Sequence, residues 1–338
     1  MSNQVVNSEL SFIACGGAGI NMAMLLKTSG LSASVTNASY IAIDASGNNR
    51  LKPELNIPLF RVPAPKGGTP NEKEAQGSGK VMGANYEEAI PFVDQTLTQN
   101  RPKGVVVVLC SGAGGSGSML ALLTVRWLKQ QGYKGVVVAI ITDHTTQVEM
   151  ENSLKTVHSL LLQTGPNLLN AAIPYMEFRN EAGKTRGQID RALINKISLL
   201  SLYATRENEE QDISDLLEIL DYSKNYKVAP TLSHISFYDE PAKFKGKTPV
   251  AHLSLYDKRE NITVAFEGAV VRSIGVFSPN TVLPEGVNQM HMLLDHGESV
   301  ATLTEQLAEL EKRKAQTSST FVSRTVEASN ANANGLIL

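Results

Sequence analysis

The sequence predicts an α/β fold: an N-terminal doubly wound parallel sheet, a long central helix, a smaller α+β C-terminal domain, and a C-terminal helix that ends in a mobile tail. Three observations carry this. Short apolar runs, Val105-Val106-Val107-Val108-Leu109 foremost, alternate with helical patterns over the first half, as in a parallel sheet covered on both faces. From about Gly187 to Glu210, Ile189, Leu193, Ile197, Leu200 and Leu202 recur near helical spacing. Beyond that stretch, strand-like runs follow one another with little helix between them.

In chain order, Ser11–Cys15 reads as a strand, Ile20–Lys27 as a helix after a glycine turn, and Tyr40–Ile43 as a second strand. Residues 50–80, rich in Pro, Gly, Asn and Lys, predict a long loop. Tyr86–Gln99 has helical spacing with Pro91 inside it, Gly104–Cys110 is the most apolar strand, Gly117–Gln131 is helical and Gly135–Thr142 is a β-branched strand. In the second half His234–Phe237, Val250–Tyr256, Ile262–Phe266 and Ala269–Phe277 read as strands, with Lys258-Arg259-Glu260-Asn261 as the turn of an antiparallel hairpin. Helical spacing returns from Asn288 to about Lys314, and Ala315–Leu338, dominated by Ser, Thr, Asn and Ala, is expected to be a mobile tail. The implied limits are 1–186, 187–210, 211–287 and 288–338.

The 338 residues, 42% hydrophobic and 19% charged, can fill sizeable cores. They suffice for roughly two domains of about 100–200 residues each. A net charge of -2 gives no generic nucleic-acid or membrane surface. Cys15 and Cys110 stand beside glycines without metal-ligand spacing and read as reduced thiols of a cytosolic protein. The polar N-terminus lacks a signal layout, and no apolar run approaches the roughly 20 residues of a membrane span. A cytoplasmic location, with no membrane and no direct nucleic-acid partner, is therefore expected.

Two glycine-rich loops carry the chemistry. Gly16-Gly17-Ala18-Gly19-Ile20-Asn21 follows the first strand and opens a helix, so backbone N–H groups and a helix N-terminus can meet an anion there. Alone it also suits an NAD-dependent oxidoreductase, with Asp44 after the second strand on a ribose. The second loop, Ser111-Gly112-Ala113-Gly114-Gly115-Ser116-Gly117-Ser118, lies between the best strand and a convincing helix. Its small residues form an N–H nest, to which Ser116 and Ser118 add hydroxyls. A dehydrogenase needs one such loop; two on neighbouring strands could surround a triphosphate. Gly77-Ser78-Gly79-Lys80 resembles part of a P-loop, but Glu74 stands where a Walker A glycine belongs and no Ser or Thr follows Lys80. Lys80 either supplies charge to a phosphate or is a solvated loop lysine.

These residues resemble the tubulin and FtsZ superfamily. Gly114-Gly115-Ser116-Gly117 is similar to the Gly-Gly-Thr-Gly core of the tubulin signature, with Met119 in place of its final glycine; Gly16–Asn21 looks like the first nucleotide loop, and Gly77–Asn85 like the loop that senses the terminal phosphate. The resemblance covers about residues 10–280. It implies a guanine contact from Asp190 early in the central helix, a second base contact from Asn180, and a ribose contact from Glu149. Ser153 replaces an arginine of FtsZ, and Arg186 stands near its base-stacking aromatic. The implied ligands are GTP or GDP with Mg²⁺, with no dedicated metal site in the chain. Length, signature and C-terminal extension are most like a bacteriophage tubulin of the PhuZ type. In that group the tail contacts the next subunit and filaments position phage DNA in the host cytoplasm. Plasmid-segregating TubZ proteins are the neighbouring possibility.

Asp212 and Asp215 remain. Their i, i+3 spacing places both carboxylates on one face of a helix N-terminus, where they form a capping box or position water for hydrolysis. Their distance from Asp190 along the chain is that of FtsZ-like proteins, and about 20 helical residues span roughly 30 Å. They would then reach only a nucleotide held by the next subunit of a head-to-tail homopolymer.

Overall fold

The computed structural model describes residues 10–31, 33–63, 85–206, 208–245, 249–263, 265–281, 283, 285–297, 299 and 301–313. The chain divides into two compact units, 1–297 and 298–338. The first begins β1 (Leu10–Cys15), α1 (Gly16–Thr28), a short α2 (Ala33–Thr36), β2 (Ser39–Asp44), β3 (Leu59–Arg61), α3 (Tyr86–Gln99), β4 (Val105–Ser111) and α4 (Gly115–Gln130). It continues with β5 (Val136–Asp143), α5 (Gln147–Gln163), β6 (Ile173–Asn180), α6 (Arg186–Tyr203), α7 (Ile213–Leu220) and α8 (Tyr222–Asn225). It ends with β7 (Leu232–Tyr238), β8 (Ala251–Tyr256), β9 (Val271–Val276) and β10 (Gln289–His296).

The ten strands among the described residues form one sheet in the order β3-β2-β1-β4-β5-β6-β7-β10-β8-β9. From β3 to β7 every pairing is parallel. The first six strands have the 3-2-1-4-5-6 order of doubly wound sheets, whose switch point lies between β1 and β4. Val105–Cys110 of β4 is fully buried, which explains an apolar run without alternation. Phe12, Ala14, Val107 and Leu109 share a core with Ile20 and Leu26 of α1 and with Leu193, Ile197 and Leu200 of α6. Helices α3, α4 and α5 pack beside one another and leave that core to α1 and α6. The second unit contains the helix 301–313. No helix among the described residues is long and apolar enough to cross a membrane.

Several expectations need correction. The glycines of the first loop are the first turn of α1 rather than a turn before it. Within the expected 50–80 loop, Leu59–Arg61 adds an edge strand to β2; residues 64–84 lie outside the described residues. The central helix ends at Tyr203 instead of running to Glu210. There Asn208 Nδ2 donates to Leu202 O at 2.9 Å and Gln211 Nε2 to Tyr203 O at 3.5 Å, so side-chain amides satisfy carbonyls that another helical turn would have taken. Ile262, Thr263, Ala265 and Phe266 form no strand, Arg259–Asn261 is a 3-10 turn, and β8 and β9 run parallel rather than as a hairpin. Of the expected 288–314 helix, Gln289–His296 is β10, while 301–313 is helical. Met and Leu favour a helix by propensity, but β10 pairs on both edges with β7 and β8 and is buried from Met290 to Leu294, so tertiary pairing overrides the local preference.

Three histidines in this sheet, His234, His252 and His291, make stability depend on pH. His252 and His291 are fully buried, and their Nδ1 atoms lie 3.1 and 2.7 Å from the single Ser254 hydroxyl. That hydroxyl has one hydrogen, so it donates to at most one ring and at least one ring carries its proton on Nδ1. Burial, with Arg272 acting on His252, holds its pKa down to about 4. Burial and His252 hold His291 at about 4 against the opposing pull of Asp239. The unfolded chain binds protons near the ordinary histidine value of about 6.5, so the stabilisation is complete above that pH and is lost as pH falls toward about 4. The melting temperature should drop by several degrees between about pH 7 and about pH 5, and His291→Gln should lessen the drop. A melting temperature flat over that interval would contradict this assignment.

Candidate functional site

At the switch point two helices begin side by side. Gly16 has φ +69, and a Cβ there would lie 2.6 Å from Gly117 Cα. A Cβ on Gly117 would meet Cys15 O at 2.9 Å, and one on Gly19 would meet Leu109 O at 2.3 Å. The absence of side chains thus lets α1 lie on β4 and brings the starts of α1 and α4 together. Neither helix has a side-chain N-cap or an acidic residue in its first turn. By contrast α5 is capped by Thr146, α6 by a Thr185–Gln188 box and α7 by Asp212. Two uncapped N-termini converging at a switch point present N–H groups and two positive dipole ends to one anion.

The second loop is held from below by α5. Gly112 N donates to Ile141 O at 2.8 Å, Thr156 Oγ1 donates to Gly112 O at 2.9 Å, and Asn152 Nδ2 to Ala113 O at 3.3 Å. Ser153, where the resemblance would put an arginine, is buried; its Cα is 3.1 Å from where a Gly112 Cβ would be, and its hydroxyl accepts from Asp143 N at 2.9 Å. A Cβ on Gly114 would meet nothing within 4 Å, so this face of the loop is open. Ser118 turns inward and donates to the carbonyls of Gly114 and Gly115, which leaves its hydroxyl inside the helix; Ser116 is also buried. On α1, Ala18 is partly exposed and Asn21 is exposed.

The remaining expected residues divide into three groups. Asp44 is buried, accepts from Asn49 Nδ2 at 2.6 Å and has Arg61 Nη1 at 3.7 Å. The Asn49 amide lies 2.7 Å from the Cβ position of Gly17. Through its Oδ2, Asp44 is tied to Asn49 and so to the first loop. At the ends of β5 and β6, Asn180 Nδ2 donates to Asp143 Oδ2 at 2.8 Å. Thr145 N reaches Asp143 Oδ1 at 2.9 Å, and Thr145 and Thr146 hydroxyls donate to Glu149 Oε2 at 3.1 and 2.9 Å. Partial burial pushes the Asp143 carboxyl up, but the Thr145 and Asn180 hydrogen bonds outweigh it and hold the pKa below the usual value. Sequence reasoning did not single out Asp143, although a carboxylate at the C-terminal end of a parallel strand is a signal for such a site. Asp190 lies one turn into α6, with Arg186 Nε at 4.0 Å. Gly77, Ser78, Gly79 and Lys80 lie outside the described residues.

Asp212 and Asp215 stand apart from all of these. Helix α6 follows a parallel strand and runs back across the sheet. Its 18 residues span about 27 Å, and α7 starts beyond its far end. Asp212 Oδ1 accepts from Ser214 N at 2.6 Å, Ser214 Oγ at 2.5 Å and Asp215 N at 3.4 Å; Asp215 Oδ2 accepts from Asp212 N at 3.0 Å. The Ser214 hydrogen bonds lower the Asp212 pKa, which keeps the carboxylate ionised. The capping box is real, and it also fixes the orientation of both carboxylates.

No protein-family model and no curated protein matches the sequence. Solved structures do. A protofilament of TubZ from bacteriophage PhiKZ superposes with a TM-score of 0.77 at 18% identity over 92% of each chain. The phage tubulin PhuZ with GDP gives 0.72 at 19% identity over 91% of this chain and 93% of that one. An M. jannaschii FtsZ mutant gives 0.58 at 16% identity over 85% and 90%. The chain has the tubulin/FtsZ fold, with marked similarity to phage tubulins.

The glycine contacts separate packing from binding. Gly19→Ala should lower the melting temperature strongly, because its Cβ meets a strand carbonyl. Gly114→Ala, which projects into open space, should leave it within a degree or two. Comparable losses from both substitutions in thermal unfolding would contradict the geometry.

Proposed function

We propose that this protein is a tubulin-like GTPase that binds GTP between the α1 and α4 N-termini, polymerises head-to-tail, and hydrolyses GTP at a site completed by the next subunit. The observation that carries the reading is the placement of two groups about a helix length apart, at opposite ends of the parallel part of the sheet. The uncapped N-termini of α1 and α4 suit phosphates, and the oriented Asp212/Asp215 pair lies about a helix length away. Gly16, Gly17, Ala18 and Gly19 would meet the phosphates from one side, and Gly112–Ser118 from the other. The Asp190 carboxylate would accept from guanine N1–H and the exocyclic amine, a pattern adenine lacks. Asn180 and Glu149, tied together through Asp143 and Thr145, would line the base and ribose end.

Gly16–Gly19 and Gly112–Ser118 would hold the phosphates of a Mg²⁺-nucleotide, whose metal would supply neutralisation of developing charge. The residues of the chain then have distinct tasks. The two loops orient the terminal phosphate, and the neighbour's Asp212 and Asp215 position the attacking water and receive its proton. Because each chain offers carboxylates at one end and nucleotide at the other, the contact is heterologous and repeats without closure, giving a filament. The similarity to phage tubulin filaments supports self-association in this manner, and positioning of phage DNA is the cellular role that goes with it.

Asp212→Ala and Asp215→Ala are expected to bind GTP normally and to enter filaments, since neither carboxylate touches its own subunit's nucleotide. Loss of the cap should cost about 1 kcal/mol, while turnover per polymerised subunit should fall at least about a hundredfold. Mixing the Asp215→Ala chain with a Gly115→Val chain should restore part of the hydrolysis, because each supplies what the other lacks. If both chains enter filaments and turnover stays at the level of the single variants, the site is not shared.

A further inference from the structure

We propose that Lys129 and Asp221 are positioning residues for hydrolysis: their buried ion pair fixes α7 so that Asp212 and Asp215 reach the neighbouring subunit's nucleotide in register. This rests on the reading of those two carboxylates given above. Lys129 stands in the last turn of α4 and Asp221 is the C-cap of α7. Both side chains are 1% exposed, and Nζ lies 3.0 Å from Oδ1. Lys129 Nζ also donates to Lys134 O at 3.3 Å. The second Asp221 oxygen faces Lys224 Nζ at 3.5 Å. Burial pulls the Lys129 pKa down, with Asp221 opposing.

Stability alone gives no reason for this pair. A buried ion pair can often be exchanged for apolar side chains without loss, because desolvating two charges offsets their attraction. Its placement is what distinguishes it. Helix α4 starts at the phosphate-binding loop and ends at Lys129, while α7 starts at Asp212 and ends at Asp221. The pair therefore joins the far ends of the two helices whose near ends carry the two halves of the proposed site. Helix α7 has 8 residues and is about 12 Å long, so a tilt or slide at its C-cap reaches its N-cap almost undiminished. Its other seat is apolar: Leu216, Ile219 and Leu220 are buried, and Leu217 Cδ2 lies 2.3 Å from where a Gly135 Cβ would be. Such contacts resist lifting but not sliding. A hydrogen-bonded ion pair resists sliding, and a displacement of about 1 Å at reacting groups can cost about a hundredfold in rate.

The test compares the full-length chain with Lys129→Met/Asp221→Leu, which replaces the pair by apolar side chains, and with Asp221→Asn, which keeps shape and a hydrogen bond. Melting temperature, KM for GTP and turnover per polymerised subunit are measured, alone and combined with Asp215→Ala. The apolar pair should keep the melting temperature and KM and lose about tenfold or more in turnover; Asp221→Asn should lose less. Neither should lower turnover further in the Asp215→Ala background, because groups acting through one another are not additive. Normal turnover in the apolar pair, or losses that multiply with Asp215→Ala, would overturn the proposal. If the apolar pair does not fold, Asp221→Asn carries the same comparison. Normal turnover in Asp215→Ala alone would instead bring down the shared-site reading on which the proposal stands.

Discussion

The close approach of Gly16 to Gly117, with no room for a Cβ on either, is the contact on which the rest of the structure depends. Adjacent parallel strands bring β1 and β4 to within hydrogen-bonding distance, but helices of ordinary residues beginning there would be held apart by their own side chains. Glycine at 16, 19 and 117 removes that obstacle. The two helices then start at the same height over the same crevice. Because neither start is capped by a side chain, two sets of backbone donors and two dipoles converge on one place. Asp44 and α5 contribute by bracing these loops from outside, Asp44 through Asn49 and α5 through Asn152, Ser153 and Thr156.

A parallel sheet fixes the consequence. Every helix that follows a strand runs back to the opposite edge, so whatever begins after α6 is a helix length away from the crevice. Asp212 and Asp215 are placed by this geometry, and their capping box orients both carboxylates at that remote edge and lowers the Asp212 pKa. Capping and catalysis are not competing explanations for the pair. One oxygen of each carboxylate accepts from the helix start, and this fixes the direction of the other. On the shared-site reading, the chain is asymmetric by construction, and a second copy in the same orientation brings the two edges together.

Much of this was legible in the sequence, because it rests on local pattern. The β4 run from Val105 declares a strand buried on both faces, and the glycines at 16–19 and 112–117 declare backbone approaches. Strand β10 was not legible: Gln289–His296 lacks the alternation of a half-buried strand and is rich in Met and Leu, so its identity depends on β7 and β8 lying on either side. The end of α6 depends on Asn208 and Gln211 folding back onto its last carbonyls. The Lys129–Asp221 pair joins residues 92 apart in sequence, a separation at which spacing carries no information. Asp44 stands beside the first loop as expected, but its link to that loop through Asn49 is visible only in the structure.

The most direct measurement of a site shared between subunits is GTP turnover as a function of protein concentration, with filament mass followed in parallel by light scattering. A shared site predicts almost no turnover below the concentration at which filaments appear, and a linear rise with polymerised protein above it. Turnover strictly proportional to total protein through that threshold would show a site complete within one chain, and would contradict the assignment of Asp212 and Asp215 to the neighbouring nucleotide.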